Sequence, residues 1–399
     1  MVIKKLIAIS VVFALVAGTA FAVDLGGQVI GSAEVAKSVN GGDAQLFQGG
    51  TGRVRLEGSG EGEIGIGTIG GWIRVEGRSG LSLDVQGFLE GANGLSGITD
   101  WDNPTDAEKE SIAAIKGAVT LGETFQGLVW WQPVEQLKIQ IGVNKDGMYD
   151  TTHLVRYGFN AQANEISGLA ARNMWSGNPA SSDYAIFGGY GEHHFAFIIT
   201  PMEAVTVNVA IPLNQGPTAG DVFKQALFQI NYNADFGAVH FTYQGSNAAN
   251  SAGKIYASTY LGSLVDGLGV EVGASFTLPK GGAAKAPLGV GLGVKYDVSE
   301  QFGVKLRSFF AIPMESGGKV GMAFDLQPYY AINDSVVAYF DFGIAKGGAD
   351  MTFHIAPYVR VGAEWGSSFY AGLNINNGDV WGKTAKINWG IPVGMVASF

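Results

Sequence analysis

The chain has no cysteine. That excludes disulfides, thiol nucleophiles, thiolate-held metals and a lipid-bearing N-terminal cysteine. Charge is scarce. Charged residues make up 15% of the sequence, against about 25% in an average soluble domain. Beyond the N-terminus no apolar run approaches the ~18 residues of a membrane-crossing helix. The 25 basic residues are outnumbered by 35 acidic ones, for a formal charge of −10, so nucleic acid is not an expected partner. Five histidines (His153, His193, His194, His240 and His354) lack metal-ligand spacing. His193 and His194 would face opposite ways on a strand, so neither a metal nor a cofactor is expected. The GxSxG elbow, the Walker loop and the HExxH pair are all missing, and the chain is not expected to be an enzyme. A lipid-facing phospholipase would need a histidine and a serine on the oily side. His240, between Val239 and Phe241, and His354, between Phe353 and Ile355, both fall on the other side.

What the chain does have is glycine, 61 residues of it, and a 47% hydrophobic content dispersed by alternation. Leu137, Ile139, Ile141 and Val143 alternate with Lys138, Gln140 and Gly142. Val205 to Leu213, Leu268 to Leu278, Leu288 to Tyr296, Val320 to Leu326 and Phe353 to Val361 repeat the pattern. A period of two with glycine or a polar residue opposite each oily one predicts strands that face lipid on one side and water on the other. Short turns recur at an interval of roughly 31–34 residues, a hairpin plus a longer loop. They lie at Tyr232–Phe236, Val265–Leu268, Tyr296–Phe302, Tyr330–Val336 and Ala363–Gly366, with earlier ones at Trp131–Leu137 and Thr200–Val205. Aromatics beside these turns suit a membrane interface. The other connections are longer and more polar, among them Gly91 to Gly117 and Asn144 to Asp183. In the first of these, Thr105 and Glu108 predict a capping box behind Pro104.

At the N-terminus, Lys4 and Lys5 precede an apolar run from Leu6 to Ala17, and Ala20-Phe21-Ala22 supplies small residues for signal cleavage. The expectation is a signal peptide over 1–22 and a single mature domain over 23–399, starting at Val23.

The last strand is the most regular. In Lys386 to Phe399, Ile387, Trp389, Ile391, Val393, Met395, Ala397 and Phe399 are apolar alternates. Pro392 removes a ladder donor within it, so a bulge is one expectation there. This strand, through Val393, Met395, Ala397 and the terminal aromatic Phe399, resembles the sorting signal of bacterial outer-membrane β-barrels of the general porin type. The chain also bears a likeness to spirochaete major surface proteins. The resemblance implies an all-β, antiparallel up-and-down transmembrane barrel of about 18 strands, with 16 and 20 as alternatives. It implies contact with outer-membrane lipid, recognition by the barrel-assembly machinery, export through the periplasm and a possible homotrimer. It also implies passive diffusion of small hydrophilic solutes and ions. The charged alternates are then the candidate pore lining: Arg53, Arg55, Glu57, Arg74, Glu76, Lys138, Lys295, Lys305, Arg307, Asp325, Asp341 and Arg360. Arg53, Arg55 and Arg74 suggest a basic ladder on neighbouring strands. The alternative function is a surface structural protein or adhesin that works through long external loops.

Overall fold

The structure is a computed structural model that describes residues 22–80, 120–143, 193–213, 218–246, 248–249, 251–281, 287–347, 350–364, 366–377 and 387–399. The signal segment up to Phe21, the capping box at Thr105–Glu108 and the loop Asn144 to Asp183 lie outside these residues.

The strands run in chain order. They are β1 (Ala22–Ser38), β2 (Gln45–Glu63), β3 (Thr68–Gly80), β4 (Thr120–Val134), β5 (Leu137–Val143), β6 (His193–Met202) and β7 (Val205–Pro212). A short helix α1 (Ala219–Lys224) follows, then β8 (Leu227–Ala234), β9 (Gly237–Gly245), β10 (Ser251–Val265), β11 (Leu268–Pro279), β12 (Leu288–Asp297) and β13 (Phe302–Ile312). The last are β14 (Gly321–Asn333), β15 (Val336–Gly347), β16 (Asp350–Gly362), β17 (Ser368–Gly372), β18 (Asn374–Asn376) and β19 (Asn388–Ser398).

Each strand pairs antiparallel with its sequence neighbours, and β19 pairs back onto β1, so the sheet closes. Strands β17 and β18 share one place between β16 and β19. The barrel therefore has 18 staves. Closure satisfies the backbone of every stave and removes the exposed edge. The break between β17 and β18 has a local cause. Ala371 pairs with Val393 and Asn374 with Gly390, so Gly372 and Leu373 stand opposite Pro392 and Ile391. Pro392 has no N–H to give, and Leu373 N–H donates instead to the carbonyl of Pro357 on β16 (2.9 Å). On its other side the proline meets a bulge in β1, between Glu34 and Lys37.

Connections alternate in length. One end of the barrel carries tight turns. Val134 pairs with Leu137, Met202 with Val205, Ala234 with Gly237, Val265 with Leu268 and Asn333 with Val336, leaving two residues between each pair. In the Asp266-Gly267 turn Gly267 has φ +72°, the left-handed conformation that such a turn needs. At Asn333 the side-chain Oδ1 accepts from the N–H groups of Ser335 and Val336, both at 2.9 Å. The opposite end carries the longer connections, except between β15 and β16, where Gly347 pairs with Asp350; one of the longer ones holds α1, which the alternation of apolar residues did not predict. Its signal was a capping pattern: Thr218 Oγ1 accepts from Asp221 N–H at 3.2 Å. The Thr218 hydroxyl also donates to Asp221 Oδ2 (2.6 Å), and Lys224 lies 3.3 Å from Oδ1. Together these hold the Asp221 carboxyl below the usual carboxylate range.

The two faces of the wall differ as the alternation requires. On β9, Val239 and Phe241 are exposed while His240 and Thr242 are buried. On β19, Ile391, Met395 and Phe399 are exposed while Asn388 and Val396 are buried. The outer face is thus apolar and open, as lipid requires, and the polar alternates turn inward. Tyr232, Phe236, Tyr296, Phe302 and Tyr330 are exposed beside the tight turns.

Candidate functional site

The inner wall divides into four sectors, each set by which alternates are polar. In β2 and β3 the register places Arg55 opposite Glu76 and Glu57 opposite Arg74. Arg55 Nε donates to Glu76 (2.6 Å) and Arg74 Nε to Glu57 (2.7 Å). Arg74 also donates to Gln126 (3.3 Å) and lies 5.0 Å over the Trp72 ring. Arg53 donates to Gln28. Arg53, Arg55 and Arg74 therefore do not make the basic ladder that their spacing suggests. Antiparallel register sets a carboxylate opposite Arg55 and Arg74, the cheaper arrangement where water is partly excluded, whereas Arg53 stands opposite Arg78 and uses the Gln28 amide.

The second sector, β5 to β9, is nearly uncharged. Lys138 lies 4.3 Å from the centre of the Trp130 ring. Both line a hollow of about 470 Å³ with Asp24, Glu61 and Trp72. Beyond it come amides: Gln140 against His194 (3.0 Å), Asn208 to Gln229 (2.7 Å), Gln229 to Thr242 (2.9 Å), and His240 against Asn231 (3.1 Å). The fourth sector, where β18 and β19 meet β1, is also amide. Asn376 donates to Asn374 (2.8 Å), Asn388 donates to Asn376 (3.2 Å), and Asn388 accepts from Asn40 N–H (2.7 Å).

The third sector, β12 to β17, gathers most of the remaining charge. Arg307 donates from Nε and Nη2 to Oδ2 of Asp325 at 3.0 and 2.8 Å, and both residues are buried. Lys295 meets Asp297 at 2.9 Å. Arg360 reaches Glu364 at 3.1 Å, and Lys305 approaches the same carboxylate at 3.9 Å. Glu364 belongs to a turn, so a loop acid folds back to serve the wall. Asp341 stands with His354, whose Nε2 is 3.5 Å from its Oδ1.

Beside these charges runs a row of tyrosines in register: Tyr329, Tyr339 and Tyr358. Tyr339 and Tyr358 stack with centroids 4.8 Å apart, and Tyr329 lies 6.0 Å from Tyr339. Lys305 faces Tyr329 and Arg360 faces Tyr339, at 5.6 and 5.8 Å. The row begins at a glycine for a steric reason. A Cβ on Gly303 would lie 2.3 Å from the Tyr329 hydroxyl. Without it the ring lies flat along the wall and its hydroxyl donates to Asp297.

Charged alternates were legible in the sequence as inward positions. The amides, the tyrosine row, Glu34, Glu271 and Glu364 were not singled out, although the first two carry the same period-two signal.

No protein-family model matches the chain, and no curated protein matches it. Solved structures do. Two engineered triple mutants of the Rhodopseudomonas blastica porin are each 10% identical to the chain, with a TM-score of 0.49 over 95% of this chain and 100% of theirs. A third structure, described by the asymmetric conductivity of engineered proteins, is 11% identical with the same score and coverage. The closure and stave number of this barrel rest on the pairing of its own strands.

The C-terminal strand closes the wall. Phe399 N–H donates to Gly27 carbonyl (3.1 Å) and Gly27 N–H to Phe399 carbonyl (2.8 Å). A Cβ on Gly27 would stand 2.5 Å from the Phe399 ring. Val393, Met395, Ala397 and Phe399 all lie on the outward side of β19, where Met395, Ala397 and Phe399 are exposed.

Proposed function

We propose that the chain is an outer-membrane channel of the porin type, passing small hydrophilic solutes and ions by passive diffusion. The observation that carries this reading is the opposition of the two faces in a closed barrel of 18 staves. Apolar side chains are exposed outside, while hydrogen-bonded amides and charge pairs line the inside. Eighteen staves lie in the range that encloses an aqueous lumen. On this reading the twelve charged alternates act as lining: they offer water and ions a surface of fixed dipoles and set selectivity by the balance of acids and bases. The apolar outer band meets outer-membrane lipid. Val393, Met395, Ala397 and Phe399 form the strand that the barrel-assembly machinery reads after export, and a homotrimer is the assembly. The protein has no catalytic task.

The test is single-channel recording of the refolded protein in a planar bilayer with a salt gradient. Stable nanosiemens-scale steps are the expected result, and the reversal potential gives the ion preference. A folded, heat-modifiable barrel that never conducts would overturn the channel and favour action through the external loops.

A further inference from the structure

We propose that Asp325, Asp341 and His354 form a divalent-metal site in the barrel wall, and that Zn²⁺ is the ion it fits. Each residue is a polar alternate between two oily neighbours. Asp325 sits between Phe324 and Leu326, Asp341 between Phe340 and Phe342, and His354 between Phe353 and Ile355. The period of two sends all three inward from consecutive strands. The register then brings them together. Gly343 pairs with Asp325 on one side and with His354 on the other, and Asp341 is two residues before Gly343 on the same face. Gly343 presents no side chain, so the carboxylate and the imidazole reach over it. Nε2 of His354 lies 3.5 Å from Oδ1 of Asp341 and 3.9 Å from Oδ1 of Asp325. The three donor atoms fall within 4.8 Å of one another.

A second observation points to a ligand. Oδ1 of Asp325 and Oδ1 of Asp341 are buried and, among the described residues, accept no hydrogen bond. Their side chains are 0% and 2% exposed. A carboxylate oxygen left without a partner in such a place is costly. Arg307 does not meet the need, because its two donations go to the other oxygen of Asp325. Two carboxylates and one guanidinium leave negative charge in the wall, directed at the point that the imidazole also faces. A divalent cation there would bind both oxygens and the ring nitrogen at once. One imidazole with two carboxylates is a donor set that Zn²⁺ accepts, at about 2.0–2.2 Å from each ligand, which sets tetrahedral donors about 3.4 Å apart. Asp341 and His354 already have that spacing. Arg307 then holds the non-ligating oxygen of Asp325 and orients its partner toward the metal. Three protein ligands leave a fourth position for water.

The experiment uses the full refolded barrel, stripped with EDTA and titrated with ZnCl₂ at neutral pH, with bound zinc read by atomic absorption. Saturable uptake of about one equivalent is expected. Asp341→Asn and His354→Gln should each weaken it by about tenfold or more, and His240→Gln, elsewhere on the wall, should leave it unchanged. Where a variant fails to give the heat-modifiable folded band, Co²⁺ added to the wild-type barrel is the second measurement. Visible d–d absorption that ZnCl₂ displaces supports the site. The absence of saturable uptake by the wild type, or uptake that persists undiminished in both variants, overturns the proposal.

Discussion

Arg307 and Lys295 neutralise acids on the same stretch of wall, yet burial separates their worth. Arg307 and Asp325 have side chains 7% and 0% exposed. Lys295 and Asp297 are both 39% exposed. Removing one member of a buried pair strands the other charge and costs about 3–5 kcal/mol, while an exposed pair contributes about 0–1 kcal/mol. Arg307→Ala should therefore lower the urea midpoint of the refolded barrel far more than Lys295→Ala, and equal shifts would contradict this assignment of burial. Gly303 gives a second prediction at the same scale. Gly303→Ala places a methyl group against the Tyr329 hydroxyl and displaces it from Asp297, at a cost of about 1–3 kcal/mol. In a Tyr329→Ala background, with neither ring nor hydroxyl to displace, the same glycine change should cost clearly less, which a double-mutant cycle measures. If the cost is the same in both backgrounds, the clash is not with the Tyr329 side chain.

At the scale of the strand, the governing fact is which face a residue occupies, and the alternation made this legible without a structure. It placed β5, β7, β11, β12, β14, β16 and β19 and gave each its inward and outward side, because lipid outside and water inside impose opposite chemistry on neighbouring residues. The tight turns were legible for the same physical reason: Asp-Gly and Asn-x-Ser sequences turn the chain wherever they occur. Register was not legible. Whether Arg55 meets Glu76 or another arginine depends on turn length and on bulges such as the one at Glu34–Lys37, and a slip of two residues would preserve every face. That is why the arginines read as a ladder, and why Asp325, Asp341 and His354 showed no common purpose while they lay on separate strands. Helix α1 was hidden for a different reason: none of its residues is buried, so it carries no apolar stripe. The face assignment predicts that Val272→Arg, on the outward side of β11 at 44% exposure, destabilises the barrel in phospholipid by about 2–4 kcal/mol if it lies near the bilayer midplane, and by less toward either rim. Urea titration in vesicles measures it. A neutral Val272→Arg would place this side in water.

For the whole molecule the question is what the distribution of charge does to an ion inside. The overall charge of −10 does not answer it, because that figure counts every residue alike, while several acids and bases on the wall are paired with one another. Arg55, Glu57, Arg74 and Glu76 make a compact square of two guanidinium groups and two carboxylates, with a further 3.8 Å contact between Arg55 and Glu57. Paired at hydrogen-bond distance, they cancel beyond roughly one Debye length, about 10 Å at 0.1 M salt. Such a square is nearly silent to a distant ion and strongly directional to one passing close by. The Arg55→Gln/Arg74→Gln double variant unmasks both carboxylates and should move the reversal potential toward cation preference. Glu57→Gln/Glu76→Gln should move it the opposite way, and the fourfold glutamine variant should return it close to wild type. All three shifts should shrink as salt rises. If the two double variants leave the reversal potential where the wild type has it, at low salt and with conductance intact, ions do not pass within reach of the β2–β3 sector, and selectivity must be set elsewhere on the wall, with the charges of β12 to β17 as the next to neutralise.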